Sequence, residues 1–145
     1  MIPKMILVPI DFSPTSEHAL DYACVLAAEV GAKIQLVHAI GATVSELDAV
    51  ISDSMIETLR EGAQARLEKL AKTRHELAAI VKVHVVSGEP RDAILEASKR
   101  CEADLIVIGS HGRRGLSRMV LGSVAEAVVR RAECPVLVVR GLPPN

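Results

Sequence analysis

Residues 109–123, GSHGRRGLSRMVLGS, place four glycines and three serines between the apolar run ADLIVI and the helical pattern VAEAVVRRA. The spacing is Gly109-x2-Gly112-x9-Gly122-Ser123, with Gly115 inside the stretch. Glycine lets backbone N–H groups approach an anion with no side chain between. A helix opening at Gly122-Ser123 adds unpaired N–H groups and the positive end of a dipole. Arg113, Arg114 and Arg118 bring positive charge to the same stretch, so the chemistry on offer is phosphate binding. It is not a Walker A loop, because no GK[ST] ends it, and not GxGxxG, because its leading glycines are three apart. Each residue also has a local role open to it. Ser123 and Glu126 read as an S-x-x-E capping box, and Gly109 and Gly112 suit a tight turn. Four glycines, a capping serine and two adjacent arginines together exceed what a turn requires.

A second junction, PIDFSPTS, follows the apolar ILVPI. Asp11 stands just past that run, where a carboxylate can meet a ribose hydroxyl, an adenine edge or a phosphate-bound divalent cation. Its alternative is to help Ser13 cap a helix. In VHAI, Val37 and Ala39 are small enough to line an adenine slot, and core packing accounts for them equally well. Ser110 directly precedes His111, but neighbours on a loop need not face each other and no third group orients them. The sequence therefore offers no nucleophile with its base. The five histidines and three cysteines show no paired spacing for zinc.

These junctions need elements to position them. Five runs rich in aliphatic residues read as strands, at 5–10, 33–40, 79–86, 103–109 and 135–140. Helical periodicity fills the intervals. Ser13-Pro14 opens a first helix and Gly31 stops it. A region over about 43–78 carries Leu47, Val50, Ile51, Met55, Ile56 and Leu59 at a spacing that suits one buried face. Pro90 opens a third helix running to about Arg100, and Ser123 opens a fourth. The pattern βαβαβαβαβ predicts an α/β fold, a parallel open sheet with helices on both faces. In such sheets ligands bind beyond the carboxyl ends of the strands where strand order reverses, which is where both junctions fall.

The 145 residues are half hydrophobic and are expected to form one domain over 1–145. No apolar run approaches the roughly 20 residues of a membrane span, and the N-terminus lacks a signal peptide's pattern. Neither membrane insertion nor export is expected, and the location is expected to be cytoplasmic. A net charge of −1 with Phe12 and Tyr22 as the only aromatics argues against a nucleic-acid partner. Cys24, Cys101 and Cys134 read as reduced, partly buried thiols.

Over nearly its whole length the sequence resembles the universal stress protein family. The residues that carry the likeness are ILVPIDFSPTSEHAL and DLIVIGSHGRRGLSRMVLGSVAEAVVRRAECPVLVVR, and G-x2-G-x9-G-[ST] is that family's ATP-binding signature. The resemblance implies strand order 3-2-1-4-5, Rossmann-like, which sets both junctions on one crevice. It implies that Gly109, Gly112, Gly122 and Ser123 hold the ribose and triphosphate of ATP or another adenine nucleotide, with Mg²⁺ or Mn²⁺ entering through the phosphates. Asp11 would meet the adenosine portion, and Ile10 and Ala39 would enclose the base. Pro9, Val37, Ser110, His111, Arg113, Arg114 and Val124 complete the expected contacts. In this strand order PVLVV is an open apolar edge, so a two-fold homodimer through 136–139 is expected, as the resemblance also implies. The region 41–62 shows little of the family pattern, and its acids, Glu46, Asp48, Asp53, Glu57 and Glu61, read as a solvated helix face.

Three functions follow. The leading one is an ATP-binding regulatory protein whose ligand stabilises residues 109–123 and alters a surface read by a protein client. The second is a slow ATPase or phosphotransferase, for which only Asp11 or His111 could serve as base or water-positioning group. The third is a dimeric interaction module whose glycines are only structural.

Overall fold

A computed structural model of the chain describes residues 1–41, 53–74, 79–110 and 121–141. Among the described residues five strands, β1 (Met5–Pro9), β2 (Lys33–Ile40), β3 (Ala79–Ser87), β4 (Leu105–Gly109) and β5 (Val136–Val139), alternate with four helices. These are α1 (Pro14–Val30), α2 (Asp53–Arg74), α3 (Pro90–Arg100) and α4 (Ser123–Arg131). The strands form one parallel sheet in the order β3-β2-β1-β4-β5, the order expected. Strand ends move by one or two residues from the sequence reading. The largest change is at β4, where Asp104 instead accepts the backbone N–H groups of Lys4 and Met5 at 2.9 and 3.0 Å.

The pleat of β1 divides the core. Ile6 and Val8 face a layer with Leu20, Cys24 and Leu67, while Leu7 faces the opposite layer with Ile94, Ile106 and Val128. All three β1 residues are fully buried, as a strand covered on both faces must be. Helix α1 obeys its local signals. The Ser13 side chain accepts the Ser16 N–H, Pro14 begins the helix, and Gly31 ends it with φ 74° in the left-handed region, which a side chain would strain. Among the described residues no helix is long and apolar enough to cross a membrane. The three cysteines are free thiols, and burial is the leading cause that pushes each above its ordinary pKa.

Two local expectations are corrected. Met55 and Leu59 were expected on a buried face but are 53% and 48% exposed, whereas α2 buries Ala63 and Leu67. The reason is placement along the sheet. Arg60 already stands level with the end of β3, donating to the Val85 carbonyl and to Ser87 Oγ, so the turns before it overhang the carboxyl edge with no strand beneath. Ile56 is partly buried, and Leu47, Val50 and Ile51 lie outside the described residues. Second, Ser123 does not cap α4. Gly122 takes the N-cap position, with no side-chain cap bond. Ser123 is one residue too far along, and Glu126 pairs with Arg130 at 2.9 Å.

The outer edge of β3 is covered by α2. Arg60 and Gln64 donate to the carbonyls of Val85 and Val83, removing acceptors that another chain would need.

Candidate functional site

The carboxyl ends of β1 and β4 lie side by side because those strands pair at the centre of the sheet. Beyond them opens a cavity of about 340 Å³, within the range of small-molecule sites. Pro9, Ile10, Asp11, Val37 and Ala39 line one side, and Gly109, Ser110, Gly122, Ser123 and Val124 line the other. The structure thus gathers both sequence junctions around one space. His111, Gly112, Arg113 and Arg114 lie outside the described residues.

The slot is mostly aliphatic, with Asp11, Ser16, His38, Ser110 and Ser123 as its polar lining. One Asp11 carboxylate oxygen accepts the Ser13 N–H at 2.9 Å, and the Asp11 N–H donates to Ser16 Oγ at 3.3 Å. The carboxylate therefore supports the start of α1 while lining the cavity, so its two readings are compatible. The turn is tight. Phe12 has φ 64°, uncommon for a side chain of its size. Its ring lies 4.6 Å from that of His38 and carries the Arg66 guanidinium 3.9 Å from its centroid. His38 Nδ1 bonds the Ile10 carbonyl at 2.7 Å. A carbonyl only accepts, so the ring's Nδ1 carries the proton.

On the β4 side, Gly109 has a packing reason to be glycine. A Cβ there would lie 2.9 Å from Thr15 Cγ2 and 3.1 Å from the Thr15 carbonyl oxygen. Ser110 differs. It is 5% exposed, and its Oγ is buried with no hydrogen-bond partner among the described residues. A buried hydroxyl left unpaired costs on the order of 1–3 kcal/mol. The Gly122 N–H donates to the Ser110 carbonyl at 2.6 Å, which sets the N-terminus of α4 beside that hydroxyl. Here the first turn presents N–H groups that the helix cannot satisfy itself.

Sequence reasoning missed Ser16, His38, Pro90, Ile94, Ile108 and Ala125, which also line the cavity. Ile94, Ile108 and Ala125 carry only a core signal in sequence. His38 stands near the end of β2 between Val37 and Ala39, and its bond to the Ile10 carbonyl and contact with the Phe12 ring are tertiary contacts with no local signal.

The family model of the universal stress protein family matches residues 3–140. Universal stress protein MJ0531 of Methanocaldococcus jannaschii is 37% identical over 139 residues, covering 94% of this chain and 82% of its own length. The solved structure of protein MJ0577 of the same organism superposes with a TM-score of 0.85 at 30% identity, over 99% of this chain and all of that one. The universal stress protein of Archaeoglobus fulgidus, solved in complex with dAMP, gives a TM-score of 0.69 at 26% identity, over 96% and 99% of the two chains.

Proposed function

The chain belongs to the universal stress protein family, and from that premise we propose that it is a regulatory protein of the stress response that binds an adenine nucleotide, ATP above others. The observation that carries this reading is the buried hydroxyl of Ser110, without a hydrogen-bond partner among the described residues, set beside the N-terminus of α4 and an aliphatic slot. A phosphate or ribose oxygen would satisfy that hydroxyl, and the α4 dipole favours the negative charge. Ile10, Val37 and Ala39 would enclose the base, Asp11 would meet the ribose, and the free backbone N–H groups of Ser123 and Val124 would hold phosphates beside Gly122, whose own N–H is taken by the Ser110 carbonyl. Mg²⁺ or Mn²⁺ would enter with the phosphates. The complex of the Archaeoglobus fulgidus relative with dAMP supports an adenine nucleotide as the ligand class.

The chain acts as a homodimer through β5. In a parallel pair alternate residues turn their backbone groups to the neighbour. The carbonyls of Pro135 and Val139 accept from Ile106 and Ser110 of the β4 side, so those of Val136 and Val138 face outward. The opposite edge of the sheet is covered by Arg60 and Gln64.

Thermal denaturation with and without ATP–Mg²⁺ tests the nucleotide reading, because a ligand that binds only the folded chain stabilises it. A saturable rise in Tm is expected. An unchanged Tm at millimolar nucleotide would support the interaction-module alternative, with glycines that only shape the backbone.

A further inference from the structure

We propose that the groove between α3 and the outer strand β3 is a second binding site, for a small phosphate-bearing dianion. The groove encloses about 430 Å³ and is separate from the cavity described above. Helix α3 stands between them: Pro90 and Ile94 line the first space, Ala93, Glu96, Ala97 and Arg100 the second.

The groove's charge is one-sided. Arg60, Lys82 and Arg100 line it against a single carboxylate, Glu96. Arg100 pairs with Glu96 at 2.6 Å, and Arg60 holds the Val85 carbonyl and Ser87 Oγ while lying 3.7 Å from Glu57. Lys82 has no carboxylate partner among the described residues. At the floor lies Gln35, 7% exposed, and none of the described residues hydrogen-bonds its side-chain amide. Its side-chain amide carries two N–H donors, which Gln35 offers to an occupant of the groove.

The backbone is adjusted to build this arrangement. Between Ile34 and Gln35 the register of β2 on β3 slips, leaving Val81 without a partner and setting Lys82 opposite Gln35 and His84 opposite Val37. Bulges of this kind re-aim side chains and concentrate beside functional sites. His84 lines the same groove. Burial first, and then the charges of Lys82, Arg100 and Arg60, push its imidazole below the ordinary pKa of 6.5. The three cations are therefore felt at one point, and an anion placed there would reverse their effect on His84.

The test follows the imidazole resonances of His84 by NMR in the full chain, titrating inorganic phosphate and, separately, glycerol phosphate, with chloride at matched ionic strength as control. A saturable shift at His84 and an upward move of its titration midpoint are expected with phosphate and not with chloride. The double variant Lys82→Gln/Arg100→Gln, at exposed positions, should weaken binding at least about tenfold, since two charge-assisted contacts are lost. Gln35→Leu should weaken it without altering the net charge. Tighter binding of the ester than of free phosphate would assign an organic phosphate, and equal binding would assign the free ion. The Gly122→Glu chain, whose first cavity is filled, should respond at His84 unchanged, which separates this site from nucleotide binding. An equal response to chloride, a response that survives the double substitution, or none at all would overturn the proposal.

Discussion

The backbone N–H of Gly122 donates to the carbonyl oxygen of Ser110 over 2.6 Å, joining the end of β4 to the start of α4 at the rim of the cavity. This bond explains why the two residues act together. The Ser110 hydroxyl is buried beside the helix terminus and has no hydrogen-bond partner among the described residues.

Ser110→Ala should therefore change stability and binding in opposite directions. Removing an unpaired buried hydroxyl relieves on the order of 1–3 kcal/mol in the free protein, so the Tm without nucleotide should rise. Nucleotide affinity should fall. A variant that loses Tm while binding as well as the parent would show that the hydroxyl meets no ligand.

Gly109→Ala should destabilise the chain with or without nucleotide. The new methyl would sit 2.9 Å from Thr15 Cγ2 and 3.1 Å from the Thr15 backbone oxygen. Overpacking of this kind costs about 1–3 kcal/mol. Chemical denaturation measures the loss, and adding Thr15→Ser should recover only part of it, because the backbone oxygen stays in place.

Acid should weaken the fold through His84 before it acts on the carboxylates. The folded pKa of His84 lies below its ordinary 6.5, so as pH falls through 6.5 the unfolded chain takes up a proton that the folded chain still refuses. Stability present above pH 6.5 is thus lost progressively below it. His84→Gln should flatten that part of the profile. Asp104 is depressed instead, chiefly by the backbone N–H groups of Lys4 and Met5. Its contribution persists above the ordinary 3.8 and is lost only as pH falls further. Urea denaturation of parent and variant across this pH range separates the two groups.

Val138→Pro should yield a folded monomer. The backbone N–H of Val138 faces away from β4, so proline removes an inter-chain donor and leaves the β4 ladder intact. Light scattering at micromolar concentration measures the mass. A dimeric variant, or a monomeric parent, would count against pairing through β5.

Features set by neighbours in sequence were legible before the structure, and features set by neighbours in space were not. Ser13-Pro14 and Gly31 bound α1 by local chemistry alone, and the apolar runs specified a parallel sheet because each strand is buried on both faces. The glycine spacing drew attention to a strand end that lines the cavity, although Gly109 turns out to have a packing reason in Thr15. The exposure of Met55 and Leu59 depends on where α2 lies along the sheet, which periodicity does not encode. The slip at Val81 and the covering of β3 by Arg60 and Gln64 arise from tertiary contacts with no local signature. Ser123 shows how close a local signal can come: the S-x-x-E pattern is present, but the helix begins one residue earlier than a capping box needs, which leaves Gly122 at the N-cap.

The most direct measurement is isothermal titration of the purified chain with ATP–Mg²⁺, AMP and GTP, with a Gly122→Glu variant in parallel. The expected result is saturable binding of one adenine nucleotide per chain, weaker heat with GTP, and none in the variant, whose glutamate would fill the cavity and oppose phosphate. An absence of heat from the parent chain at millimolar ATP, or binding that survives Gly122→Glu, would contradict a nucleotide site between Asp11 and Ser110.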